Sequence, residues 1–194
     1  HLMIATDGSL GGDGKEKKLI NIRSEETKLG LAEIGSPLLL NLPDSNLGED
    51  YTHKKIIRKQ IEKINPNLII THSKNDYHSD HRNLSIIVQE IASHYIPVVF
   101  CDTLMGINFK PDYYVDVTPF FESKEKSILK HKSQNPKRFV KLARLMNSYR
   151  SAQCNAPEGH FAEAYSFDLS FPFSDIRQLL PPPPPLRLFH IENV

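Results

Sequence analysis

The chain has 194 residues, 39% of them hydrophobic, enough for one domain with a core of its own. Its net charge of +1 gives no broad electrostatic case for nucleic acid or a membrane surface, and no apolar run approaches the roughly 18 residues of a membrane span. Two cysteines, Cys101 and Cys154, make no disulfide framework, and with no signal-peptide pattern the simplest compartment is a reducing cytoplasm.

His1 to Thr6 reads as a core strand with no initiator methionine ahead of it, so residues upstream are expected. A loop with four glycines, Gly8, Gly11, Gly12 and Gly14, follows; it reads equally as a mobile turn or as backbone that approaches a ligand. A helix is expected from about Ile22 to Ile34, with Leu29, Ala32 and Ile34 among its apolar positions and Gly35 closing it. Ser36 to Leu42 is a second strand, with its proline at the start. A charged helix spans about Asp50 to Ile64 and breaks at Asn65-Pro66-Asn67.

Leu68 to Thr71 is a third strand, and a helix follows from about Asp80 to His94 with apolar residues at 84, 87, 88 and 91. Pro97 to Cys101 and Tyr113 to Val117 are further strands. Thr118-Pro119 opens a helix expected to reach Gln134, and a basic helix covers about Pro136 to Arg150. Ala162 to Leu169 reads as an edge strand or an extended segment. Pro181 to Pro185 is a stiff run that can dock on aromatic-lined modules but reads better as a spacer to a loose tail. Alternation of strands and helices predicts an α/β fold, Rossmann-like, with a mainly parallel sheet flanked by helices. The expected organisation is one domain over residues 1–180 and a proline-rich tail over 181–194.

Between the third strand and its helix lies Thr71-His72-Ser73-Lys74-Asn75-Asp76-Tyr77-His78-Ser79-Asp80-His81. In open α/β sheets ligands bind outside the carboxyl ends of the strands, which makes this loop the site hypothesis. His78 and His81, three apart at a helix start, can face one pocket, and histidine is a usual nitrogen ligand for zinc. Asp80 could orient an imidazole, and Asp76 could do the same or contact substrate. The plainer reading is that the histidines cap the helix and Asp80 complements its N-terminus.

The segment Asn75-Asp76-Tyr77-His78-Ser79-Asp80-His81-Arg82 closely resembles the H-P-D-H segment of the LmbE-like, or PIG-L, zinc-dependent de-N-acetylases. Thr6-Asp7-Gly8 resembles the family's T-D-G. Arg23 with Glu25 and Glu26, followed by Ala32-Glu33-Ile34-Gly35, resembles its R-x-x-E helix. Leu42-Pro43-Asp44, the set Lys126, His131, Ser133 and Gln134, and Ala162-Glu163-Ala164-Tyr165 resemble three further family segments, in order along the chain.

The resemblance implies hydrolysis of the N-acetyl group of an N-acetylglucosamine-type sugar conjugate, with zinc as cofactor. It implies that His81 is a metal ligand, that His78 stabilises the tetrahedral intermediate and protonates the leaving amine, and that Asp80 holds the site's histidines. Arg23 would reach the substrate or the acetate, with Asp76 beside it as a substrate contact. His131 and Gln134 are left between helix packing and site contact, and Ser79 stands where the family commonly has proline.

The family's A-H-P-D-D-E segment does not occur in these residues. The resemblance would place it upstream of His1, together with a first sheet strand. It would supply two more ligands and the general base, so the 194 residues alone are expected to be inactive. The rival reading is a sugar- or partner-binding domain of the same fold without catalysis; a nucleotide-binding domain comes last for want of a phosphate fingerprint. The sequence names neither the sugar's carrier nor a choice between monomer and homo-oligomer.

Overall fold

The computed structural model describes residues 1–11, 16–169, 175–176 and 180–187. Strands β1 (Met3–Thr6) and β2 (Leu38–Leu42) flank helix α1 (Glu16–Leu31), and α2 (Tyr51–Ile64), β3 (Ile69–His72), α3 (Ser79–Ala92) and β4 (Val98–Cys101) follow. Then come β5 (Tyr113–Asp116), α4 (Phe121–Leu129), α5 (Pro136–Gln153) and β6 (Ala162–Phe167), with single 3-10 turns at Leu104–Gly106, Thr118–Phe120 and Lys132–Gln134.

β1 and β2 form a parallel pair, and the other four strands form a sheet in the order β3-β4-β6-β5. β3 and β4 are parallel, while β6 is antiparallel to both β4 and β5. Three strands of this sheet therefore share a direction and β6 opposes them. This is the Rossmann-like, mainly parallel arrangement, with one antiparallel strand added. An apolar gap lined by His1, Met3, Ile69 and Ile70 lies between β1 and β3.

Ile57, Ile61, Ile87, Val88 and Ile91 bury the apolar stripes of α2 and α3 against Ala5, Leu42, Val98 and Phe100 from the strands. Apolar residues at helical spacing dictate this packing. β6 sits inside the sheet, not at its edge as expected. Its inward side chains are small (Ala162 and Ala164, both buried), so its alternation is faint in the sequence although its backbone is paired on both sides.

α1 begins and ends earlier than expected, and Leu29 and Ile34 are 60% and 71% exposed. Its packed face instead carries Glu26 and Gly30: the Ser127 hydroxyl donates to the Gly30 carbonyl at 2.6 Å, and a Cβ on Gly30 would come within 3.0 Å of His131 Nε2. The expected helix from Thr118 to Gln134 stops at Leu129, because His131 leaves helical geometry (ψ 61°) and turns the chain back toward α1. The proline run lies against the sheet edge, contrary to the expected spacer. The Asp116 N–H of β5 donates to the Pro182 carbonyl at 3.0 Å, Pro184 is buried, and the Arg187 N–H donates to the Asn155 carbonyl at 2.9 Å. Residues 188–194 of the expected tail, and residues 12–15 of the glycine loop, lie outside the described residues.

Candidate active site

The histidine loop leaves the carboxyl end of β3, and His78 is the N-cap of α3: its Nδ1 accepts the Asp80 N–H at 3.2 Å. The capping reading of this histidine is therefore met. It also sets the neutral ring's tautomer, since an accepting Nδ1 leaves the proton on Nε2. Arg82 braces the loop by donating to the carbonyls of Asp76 and Tyr77 at 2.7 and 2.8 Å.

Three imidazoles gather here. His72, the last residue of β3, stacks on His81 with centroids 3.9 Å apart and planes 9° apart, and His78 lies 4.7 Å from His81 with planes 29° apart. His72 drew notice in the sequence only as a neighbour of the motif; the turn of the loop puts it in the centre. Burial is the main reason its pKa is pushed down to about 4, and the neighbouring histidines add to it.

Asp76 lies beneath this stack, its side chain wholly inaccessible, with Oδ1 3.2 Å from His81 Nδ1 and accepting the His78 N–H at 2.8 Å. Burial works to raise its pKa, but the His78 N–H, the Thr103 side chain and His81 outweigh it and hold the carboxyl below its ordinary value. Of the two expectations for Asp76, orienting an imidazole or contacting substrate, its inaccessible side chain beside His81 supports the first. The Asp80 carboxylate is engaged elsewhere. Its two oxygens accept the N–H groups of Ser45 (2.7 Å) and Leu47 (3.1 Å), so it ties the loop after β2 to the start of α3 instead of holding a histidine.

Arg23 extends from α1 and donates from Nη1 to the Gly8 carbonyl at 2.8 Å. A Cβ on Gly8 (φ +65°) would stand 2.5 Å from that nitrogen, and one on Gly11 would stand 2.6 Å away. The backbone that the glycine loop lets approach is thus approached by Arg23. Glu26, one turn on, accepts the Ser133 N–H and hydroxyl at 2.8 and 2.7 Å, and Gln134 donates to the Gly11 carbonyl at 3.3 Å. The R-x-x-E and H-x-S-Q segments therefore clasp one another.

Arg23, His131 and Gln134 line a cleft of about 500 Å³ together with Cys101 and Thr103 at the end of β4. Cys101 stands opposite His72 in the sheet register, so the cleft adjoins the histidine loop, although none of the three histidines lines it. Two charge pairs sit in its wall. Lys124 bonds Glu163 at 2.6 Å and Asn147 at 3.0 Å, and the buried Arg150 bonds Asp102 at 2.6 and 2.7 Å and Gln153 at 2.7 Å. The sequence signal for Glu163 was a carboxylate between alanines in a strand; Arg150 and Asp102 show nothing locally, because each is buried only by meeting the other.

A catalytic zinc site needs three converging protein ligands. Among the described residues no three His, Cys, Asp or Glu groups converge in that way. Imidazole lone pairs lie in the ring planes, and the planes of His72 and His81 are nearly parallel, so both cannot aim at one ion. Among the described residues buried His72 Nδ1 and Asp76 Oδ2 have no hydrogen-bond partner and His81 Nδ1 meets only Asp76 Oδ1, but as placed these residues do not fit a zinc ion by themselves.

Residues 1–92 match the family model PIG-L, described as GlcNAc-PI de-N-acetylase. A comparison with curated proteins gave no match. Among solved structures, the 4-carboxy-2-hydroxymuconate hydratase GalB from Pseudomonas putida is similar at a TM-score of 0.69 and 18% identity, over 86% of this chain and 82% of that one. The N,N′-diacetylchitobiose deacetylase from Pyrococcus horikoshii is similar at 0.71 and 19%, over 92% and 76%. The zinc-inhibited form of the teicoplanin deacetylase Orf2 is similar at 0.62 and 13%, over 82% and 77%. At these identities the likeness is one of fold, and the fold carries hydratase as well as deacetylase chemistry. With the motifs at residues 6–8, 23–26 and 75–82 inside the matched span, residues 1–92 are a PIG-L, LmbE-like segment, and the chain has the LmbE-like deacetylase fold.

Proposed function

We propose that this chain is the body of an amidohydrolase that removes the N-acetyl group from an N-acetylglucosamine-type sugar conjugate. The observation that carries the reading is the stack of His72, His81 and His78 over the inaccessible Asp76, at the carboxyl end of β3 and within the matched segment. In this reading His78 acts as the imidazolium, with its cap bond to the Asp80 N–H released: its Nε2–H stabilises the developing oxyanion and that proton then passes to the leaving nitrogen, leaving a neutral ring, a transfer worth roughly 10²–10⁴-fold. Asp76 holds His81 in register, and Arg23, with most of its five donors unspent, takes the polar end of the substrate. Both cysteines are free thiols, in keeping with the cytoplasmic location that the reading assumes. No helix among the described residues is long and apolar enough to cross a membrane.

Zinc is part of the proposal only at His81, and it would need donors beyond those described. On this reading the 194 residues alone bind zinc weakly and release no acetate. Acetate release from N-acetylglucosaminyl conjugates, assayed with the 194-residue chain and with a chain extended upstream of His1, tests it alongside zinc content by elemental analysis. Activity and zinc gained on extension, and zinc lost with His81→Ala, are expected. An extended chain that neither binds zinc nor hydrolyses any conjugate favours the rival, a sugar-binding domain without catalysis. That no three donors converge among the described residues is the observation on the rival's side.

A further inference from the structure

We propose that the cleft is a subsite for an apolar aglycone, so that the conjugate's non-sugar part is alkyl or aryl in character where it leaves the sugar. The inference rests on the deacetylase reading. A pyranose ring is recognised through its hydroxyls, and each hydroxyl buried without a partner costs free energy. The wall's polar groups are turned on one another: Lys124 is taken up by Glu163 and Asn147, and Arg150 by Asp102 and Gln153. Glu163 also accepts the Tyr165 hydroxyl at 2.6 Å. Their charges cancel in pairs, which leaves this part of the wall little that a sugar could bond.

Beside them the wall carries Leu104, Ile128, Phe139, Ala143 and Met146, all half-buried and so presenting apolar surface to the cleft. Arg23, Thr103, His131 and Gln134 are its further polar lining. Among the described residues the Arg23 guanidinium bonds only the Gly8 carbonyl, which marks its side of the cleft as the sugar's side. The volume of about 500 Å³ is that of a site for a drug-sized ligand, larger than an acetyl group requires. The wall itself is rigidly placed. Gly106 (φ +60°) packs so closely on α5 that a Cβ there would meet Arg150 Nη2 and Met146 Cε at 2.6 Å.

The test is a series of methyl, butyl, hexyl and octyl N-acetyl-β-D-glucosaminides, with Kd measured by calorimetry below micelle concentrations and acetate release measured separately. Each methylene that reaches the apolar wall should tighten binding about fourfold, the equivalent of ~0.8 kcal/mol of transfer free energy. Met146→Gln and Ile128→Thr, both at half-buried positions, should flatten this dependence. A Kd that does not change with chain length overturns the inference even if acetate is released. A dependence that survives in both variants also overturns it, because the alkyl chain would then be bound elsewhere. Tightening with length that is lost in the variants upholds the subsite whether or not acetate appears, because acetate release tests the deacetylase reading separately.

Discussion

Replacing Asp80 separates two accounts of the H-x-D-H segment. Its carboxylate, 4% exposed, accepts two backbone N–H groups, one from the exposed Ser45 and one from the buried Leu47, across 35 and 33 residues of chain. A hydrogen bond to a charged group contributes about 1.5–3 kcal/mol. The Ser45 bond belongs at the low end because water can replace it, and the Leu47 bond at the high end because water cannot. A carboxylate in the first turn of α3 adds about 0.3–1 kcal/mol against the helix dipole. Asp80→Ala should therefore cost about 5 kcal/mol. At roughly 2–4 °C per kcal/mol for a chain of this size, the melting temperature should fall by roughly 10–20 °C. Asp80→Asn keeps one acceptor and should lose about half as much. Circular-dichroism melts and urea titrations measure both, and hydrogen exchange at Ser45 and Leu47 should quicken. A variant that melts within about 1 kcal/mol of the parent, with those two amides still protected, would refute the anchoring role and return Asp80 to the histidines.

Gly8→Ala puts a Cβ both at positive φ and into Arg23, so it should destabilise by at least the ~1–2 kcal/mol of a left-handed alanine and dislodge the guanidinium; urea unfolding and conjugate affinity read the two effects. Arg150→Met strands Asp102 inside the wall and should cost about 3–5 kcal/mol, most of it recovered in the double variant Arg150→Met, Asp102→Leu, as a double-mutant cycle in urea would show. Glu163 governs part of the acid limb. Burial opposes its ionised form, but Lys124 and the Tyr165 hydroxyl hold its pKa below the ordinary 4.5. Its contribution is thus fully present above 4.5 and is lost as pH falls through the lower folded value. Unfolding free energy should drop more between pH 6 and pH 3 in the parent than in Glu163→Gln, and equal drops would refute the assignment.

What the sequence determined by itself is local and periodic. Apolar residues at 87, 88 and 91 place a buried stripe on α3, β-branched runs make β3 and β4, and a polar loop must fall between β3 and α3. His78 and His81 share a side of the first helical turn because they are three residues apart, and that too is written in the chain. The tertiary structure decided the partners. Asp76 and Asp80 are four residues apart and chemically alike, yet one goes beneath the histidines and the other to the loop after β2. That choice depends on which backbone amides the fold brings near, not on local spacing. β6 inside the sheet, Arg23 on its bed of glycines and the proline run along β5 arise in the same way. Small side chains, glycine backbone and proline carbonyls carry little periodic signal, and they acquire a role only when a distant segment packs against them.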